Sequence, residues 1–302
     1  MQRTIARETH MDGRGLFSGE PARLTFTPAD IGAGINFVRR LGEKVTTIPA
    51  SVANVMKRPR RTCLKNGTLH IETVEHVLAA LTGLGVTNAT VTVSQTTTGE
   101  LPMGDGSGLE FVHALNEAGV IDQDEAILPL IIKKPIQVTM GDATLAALPG
   151  PTDKLEIIYD FEAPAPVGRQ VFVFHLGEDD FLKELAPART FVFEHEANEL
   201  RKRGFGEHLT TDELLVIAPN GPSGNNAFRF PDECVRHKVL DLIGDLTLVG
   251  RPLYGRLVAH KSGHELNHLM AKRLIEQADS TWRESLLHRK HAAMDIRQIS
   301  RI

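Results

Sequence analysis

The stretch Val235 to Leu246, VRHKVLDLIGDL, decides how the rest of the chain is read. Its apolar residues recur at helical spacing, which predicts a helix within residues 233–250. Shifting the chain by 161 positions lays Val74, His76, Leu81 and Gly83 of a second apolar stretch, TVEHVLAALTGLG, on Val235, His237, Leu242 and Gly244. Both stretches follow strand-rich sequence, which is the trace a duplicated α+β unit leaves. Two such units facing each other would bring one histidine from each half to a common cleft.

Outward from these helices, the first half reads as short strands (ARLTFTPA, GINFVRR), the helix of TVEHVLAALTGLGV, a strand NATVTVSQ, a turn PMGDGSG and a helix LEFVHALNEAGV. The polar break DQDEA at 122–126 places a domain boundary near 125, giving units 1–125 and 126–302. Strands are expected to resume in LIIKKPIQVTM, ATLAALPG and KLEIIYDFE. The second half then reads as helical, in DDFLKELAPARTF, ECVRHKVLDLIGDLTLVG and ELNHLMAKRLIEQA. The fold class expected is α+β.

With 302 residues, the chain can hold two domains. Its 34 Lys and Arg against 38 Asp and Glu leave a formal charge of −4, so it lacks the basic footprint of a nucleic-acid binder. An anionic ligand would have to be met by local charge. No segment has the unbroken apolar length of a membrane span, and the opening residues lack the apolar run of a signal peptide, so a cytoplasmic protein without stable membrane insertion is expected. Its two cysteines, Cys63 and Cys234, are too few for a disulfide framework and read as buried thiols.

On the 235–246 helix, His237, Asp241 and Asp245 stand four apart and form one polar stripe on an apolar element. Such a stripe is either solvated, salt-bridged or engaged with a ligand, because an unpaired buried carboxylate is costly. His with Asp at i+4 can chelate one metal ion. In TVEH, Glu75 stands beside His76 at a helix start. A ligand histidine with a neighbouring free carboxylate suits metal-activated water, although the same pair also suits a helix N-terminal Glu and a core His. A third candidate is HELNH at 264–268, which satisfies the zinc-protease pattern in which two histidines one turn apart hold the metal.

Taken together, QRT (2–4), GLFSGE (15–20), TVEHVLAALTGLGVTNA, DGSG (105–108), ARTF (188–191), VRHKVLDLIGDL and KSGH (261–264) resemble the zinc-dependent UDP-3-O-acyl-N-acetylglucosamine deacetylases of lipid A synthesis, over essentially the whole chain. The resemblance implies a two-domain sandwich, each domain a small sheet layered on helices, with the active site between the helix layers. It implies His76, His237 and Asp241 as Zn2+ ligands, Glu75 as general base, and His264, oriented by Asp245, as the acid. Thr190 would help hold the oxyanion or the metal-bound water. Lys238 and Phe191 would meet substrate, an acylated UDP-amino sugar. The protein would be a monomer. By the same resemblance HELNH is a decoy, with His264 catalytic at a loop end and His268 on the following helix.

The chain departs from the family pattern at Phe17, where a histidine is usual, and at Ala143, where Lys or Arg commonly follows the Gly-Asp turn. Both changes remove polar groups expected near the substrate's diphosphate. They keep open a related zinc deacetylase for a different N-acetyl sugar, or a non-catalytic nucleotide-sugar or metal-binding relative. Retention of Glu75, His264 and Asp245 argues against the last, because binding alone needs no base and no oriented acid. The run KRPRR (57–61) reads as a solvated loop, and the segment from Phe191 through residue 217 as the family's insert, whose apolar face encloses an acyl chain.

Overall fold

The computed structural model describes residues 1–204, 206, 208–210 and 214–277. In the first half the elements are β1 (Gln2–Ile5), β2 (Thr9–Arg14), β3 (Pro21–Pro28), β4 (Ile35–Leu41), β5 (Lys44–Pro49), β6 (Val55–Met56), β7 (Cys63–Asn66), β8 (Leu69–Glu72), α1 (Glu75–Gly83), β9 (Ala89–Ser94), α2 (Leu109–Ala118) and β10 (Val120–Gln123). The second half contains β11 (Leu130–Ile131), β12 (Ile136–Met140), β13 (Ala143–Leu148), β14 (Leu155–Glu162), β15 (Arg169–Leu176), α3 (Phe181–Glu184), β16 (Phe191–Phe193), α4 (Glu194–Lys202), β17 (Leu215–Ala218), β18 (Gly221–Pro222), α5 (Glu233–Thr247), β19 (Leu253–His260) and α6 (His264–Gln277). The fold is α+β.

The main sheets of the two halves share one plan. Their strand orders are β2-β3-β9-β4-β5 and β12-β13-β19-β14-β15. In each, the central strand pairs antiparallel on one side (β3 with β9, β13 with β19) and parallel on the other (β4 with β9, β14 with β19). In each, a helix precedes the central strand (α1, α5) and another follows it (α2, α6). The weak repeat in sequence is therefore a repeat in topology, and it lays α1 on α5.

Alternating burial along β3 and β9 turns one face of that sheet inward, as period-2 patterning requires. Helices of the two halves meet in the middle, α1 against α5, while α5 and α6 also lie on the second sheet. One continuous apolar core, including Phe37, Leu78, Tyr159 and Leu240, runs through both halves. Among the described residues no helix is long and apolar enough to cross a membrane.

Several expectations need correction. The second half does not simply turn helical, because β15 and β19 intervene and β19 is the central strand of its sheet. Its inward positions are Leu253, Gly255, Leu257 and Ala259, and two of those four are too small to signal a strand. Gly255 is small of necessity, since a Cβ there would stand 3.0 Å from both Leu148 O and Ile132 Cβ. In DDFLKELAPARTF only Phe181–Glu184 is α-helical, consistent with Pro187 just beyond it. LIIKKPIQVTM is two strands interrupted at Lys133-Lys134-Pro135. The polar break contributes Asp122 and Gln123 to β10, which pairs with β1. Residues 205, 207 and 211–213 of the expected insert, and 278–302 of the second unit, lie outside the described residues.

Candidate active site

Two helix ends build the site. Thr73 sits in the left-handed region (φ 61°) just before α1, a conformation a β-branched residue rarely takes. The turn it makes sets Glu75 and His76 in the first turn of the helix, where an acidic side chain also complements the helix dipole. From the facing helix α5, His237 and Asp241 point at the same place. The expected polar stripe is thus buried, not solvated, and His76, His237, Asp241 and Asp245 are each at most 3 % exposed.

Among the described residues, His76, His237 and Asp241 are the one group whose donor atoms cluster as metal ligands do, all within 4.8 Å of one another. The Asp241 Oδ1 atom lies 3.5 Å from His76 Nε2 and 3.4 Å from His237 Nε2. These separations are long for hydrogen bonds but match the edges of about 3.3–3.4 Å expected for donors at tetrahedral angles about 2.0–2.1 Å from one ion. The His237 Nδ1–H donates to Ala188 O at 3.1 Å, which leaves the Nε2 lone pair free toward the cluster. His76 Nδ1 is buried with no hydrogen-bond partner, unlike His237 Nδ1, so the polar contact of this ring is made by Nε2, which faces Asp241 Oδ1. The residues fit a divalent ion with one position left open.

Electrostatics agree with that fit. Burial pushes the His237 pKa down to about 3, partly opposed by Asp241, so the ring is neutral as a ligand must be. For Asp241 burial works against ionisation, but its polar surroundings, the Lys238 ammonium among them, outweigh it and hold the carboxyl well below its ordinary range. Lys238 Nζ donates to Asp241 Oδ2 at 2.8 Å, leaving Oδ1 to face the histidines. Burial raises the pKa of Glu75, only partly offset by His264 and His76, which moves this carboxylate toward the range of a general base.

The HELNH histidines point elsewhere. His264 is the first residue of α6, and its Nδ1 lies 2.8 Å from Asp245 Oδ2. Burial opposes the charged ring, but Asp245, with Asp241 and Glu75 beyond it, raises the His264 pKa to about 10. His268 Nε2 lies 2.9 Å from Thr62 Oγ1 and 3.4 Å from Asp245 Oδ1. Neither histidine belongs to the donor cluster. Asn267 Nδ2 donates to Asp245 Oδ2 at 2.8 Å, and the Thr62 N–H donates to Glu75 Oε2 at 3.0 Å. Sequence reasoning missed Thr62 and Asn267 altogether, since nothing in RTCL or LNH distinguishes them from ordinary polar residues.

A cavity of about 600 Å3 opens over these groups, lined by Glu75, His76, His237, Asp241 and His264, and also by Thr190, Phe191 and Lys238. Val192, Ala197, Leu200, Leu209, Leu214 and Val216, from the segment read as an insert, give it an apolar wall. Phe17 and Ala143 line it too. The Arg61 guanidinium stacks 4.1 Å from the Phe17 ring centre. The KRPRR run is more than a solvated loop, because Lys57, Arg58 and Arg60 border the cavity, paired with Glu265, Glu72 and Glu196. A larger cavity, about 1440 Å3, includes Thr82, Thr247 and Leu248 in its lining but none of the clustered donors.

A buried two-histidine, one-aspartate cluster beside a carboxylate outside the donor set and an oriented imidazole has the groups that a metallohydrolase site requires. Comparison with known proteins narrows the class. The family model for UDP-3-O-acyl N-acetylglycosamine deacetylase matches residues 2–276, and the chain belongs to that family. A relative from Saccharophagus degradans is 39% identical over 280 residues, covering 92% of this chain and 91% of its own. Relatives from Chlamydia felis (38% identical, 91% of this chain, 97% of theirs) and Myxococcus xanthus (36%, 91% and 86%) are similar to it as well. All three carry the name UDP-3-O-acyl-N-acetylglucosamine deacetylase.

Proposed function

We propose that the protein hydrolyses the N-acetyl group of UDP-3-O-(3-hydroxyacyl)-N-acetylglucosamine in lipid A biosynthesis, releasing acetate and the free amine. The observation that carries this reading is the convergence of the His76, His237 and Asp241 donors, Glu75 and His264 on one cavity with an apolar wall. Family membership supports it.

His76, His237 and Asp241 would hold a zinc ion, which would supply Lewis acidity and ease deprotonation of the attacking water. Glu75 accepts a proton from the attacking water as its oxygen bonds to the acetamide carbon. The His264 imidazolium, kept charged by Asp245, faces the negative charge that gathers on the carbonyl oxygen, and Thr190 helps to hold that oxygen. As the C–N bond breaks, the glucosamine nitrogen takes a proton from the Glu75 and His264 pair, and acetate departs.

The insert's apolar wall is suited to the acyl chain, and Phe191 bridges it to the metal site. Lys238 and the cations of 57–61 offer local positive charge to a nucleotide diphosphate, as a chain of net charge −4 must do locally. The units 1–125 and 126–302 supply the base with one ligand and the remaining machinery respectively. A monomer acting in the cytoplasm, without nucleic-acid partners, completes the reading.

Phe17 and Ala143 at the cavity favour one second reading, a deacetylase for a different N-acetyl sugar. Turnover of the acylated UDP-sugar, of bare UDP-N-acetylglucosamine and of an N-acetyl sugar lacking UDP decides between them. Binding energy from remote groups is used to align the reacting bond, so removing the acyl chain should cut kcat/KM by orders of magnitude. Equal turnover of the first two, or preference for the third, would move the assignment to the second reading.

A further inference from the structure

Thr62 lies where the base side and the acid side of the site meet. It is fully buried, immediately before β7. Its N–H donates to Glu75 Oε2 at 3.0 Å, and its carbonyl accepts from Val74 N at 3.2 Å, so its backbone is fastened to the start of α1. Its hydroxyl reaches the other half of the chain, making a short bond to Asp245 Oδ1 on α5 and a 2.9 Å contact with His268 Nε2 on α6.

Proton accounting fixes the directions. An ionised Asp245 can only accept, so the single hydroxyl hydrogen of Thr62 goes to Oδ1. The His268 contact must then be an Nε2–H donated to Thr62 Oγ1. On its other oxygen Asp245 accepts from Asn267 and pairs with His264 Nδ1. One residue thus holds the Glu75 carboxylate through its backbone and the carboxylate that aims His264 through its side chain.

We propose that Thr62 is a positioning residue that fixes Glu75 and the Asp245–His264 pair relative to each other, with His268 locking its hydroxyl. This inference rests on the deacetylase reading for the roles of Glu75 and His264. Its consequence is that the hydroxyl matters for turnover while touching neither substrate nor metal ligand.

The test compares wild-type protein, Thr62→Val and Thr62→Ser, all metal-loaded, on the acylated UDP-sugar. Thr62→Val keeps the N–H to Glu75 and removes the hydroxyl. It should lose about 10- to 100-fold in kcat with KM changed by less than about threefold and metal content unchanged, the range seen when a supporting hydrogen bond is removed, while Thr62→Ser restores most of the rate. A second readout needs no turnover. Histidine side-chain NMR should show His268 as the Nε2–H form with a slowly exchanging proton in the wild type, and Thr62→Val should lose that signal. Wild-type kcat in Thr62→Val, a Thr62→Ser rate as low as that of Thr62→Val, or identical histidine spectra in wild type and Thr62→Val would each overturn the inference. Wild-type protein that releases no acetate overturns the deacetylase reading instead, whatever the spectra show.

Discussion

Gly244 lies directly against the backbone carbonyl of Glu75, so that a Cβ at position 244 would stand 2.0 Å from Glu75 O and 2.8 Å from its carbonyl carbon. This is where α5 crosses the start of α1, and the lack of a side chain lets the two helices approach until the His76 and His237 rings stand 4.9 Å apart. The ligand cluster therefore depends on a glycine that coordinates nothing.

Gly244→Ala should both destabilise the protein and weaken its metal site. Alanine favours a helix interior over glycine by about 1 kcal/mol, but the obstacle here is backbone with no flexible end to yield, and overpacking costs about 1–3 kcal/mol or more. Sterics win. Thermal unfolding and metal titration of the variant check this, and an unchanged Tm with unchanged metal affinity would contradict it.

Ligands and acid should separate by metal content. His76→Ala, His237→Ala and Asp241→Ala should each lose bound metal, because each removes one of three donors. His264→Ala should keep its metal and lose about 10²- to 10⁴-fold in rate, the usual effect of removing a general acid or base. Elemental analysis beside the rate assay reads both. Metal lost from His264→Ala but kept by His76→Ala would return the site to the HELNH pattern.

The pH dependence follows from the Asp245–His264 pair. The His264 pKa, raised to about 10, lies above the ordinary imidazole value of about 6.5. Its stabilising contribution is therefore complete below about pH 6.5 and is lost as pH rises through about 10. The Asp245 carboxyl is held below its ordinary range, because His264 and His268 outweigh the opposing effect of burial. Its contribution is present above about pH 3.9 and is lost as pH falls below that. Unfolding free energies of wild type and Asp245→Asn should differ most between about pH 4 and 6.5 and converge toward pH 10. In kcat/KM, the wild type should show an alkaline limb near pH 10, and His264→Gln should lack it. A limb of the same position and depth in both proteins would deny His264 its role as acid.

Much of this was legible in the sequence because the informative residues lie on two helices, α1 and α5, where spacing translates directly into a shared face. His237 and Asp241 at i,i+4, and Glu75 beside His76, needed no tertiary information to be grouped as candidates. The 161-residue offset found the repeat of α1 in α5, and the matched sheet orders explain why even a few identities were meaningful. What escaped depends on contacts far apart in the chain. β19 is a central strand whose inward residues include Gly255 and Ala259, so its hydrophobic signal is faint although its position is fixed by neighbours on both sides. Thr62 reaches Asp245 across 183 residues, and no local pattern encodes that. The HELNH motif shows the opposite failure, a correct helical spacing whose two rings are aimed at a carboxylate and a hydroxyl.

The central claim is that metal-loaded protein removes acetate from the acylated UDP-sugar with Glu75 as the base. The most direct measurement is acetate release by wild type and Glu75→Gln at equal metal occupancy, with UDP-3-O-(3-hydroxyacyl)-N-acetylglucosamine as substrate. The account predicts steady release by the wild type and a loss of about 10²- to 10⁴-fold in kcat for Glu75→Gln with its metal retained. No acetate from metal-loaded wild type, or undiminished release by Glu75→Gln, would contradict it.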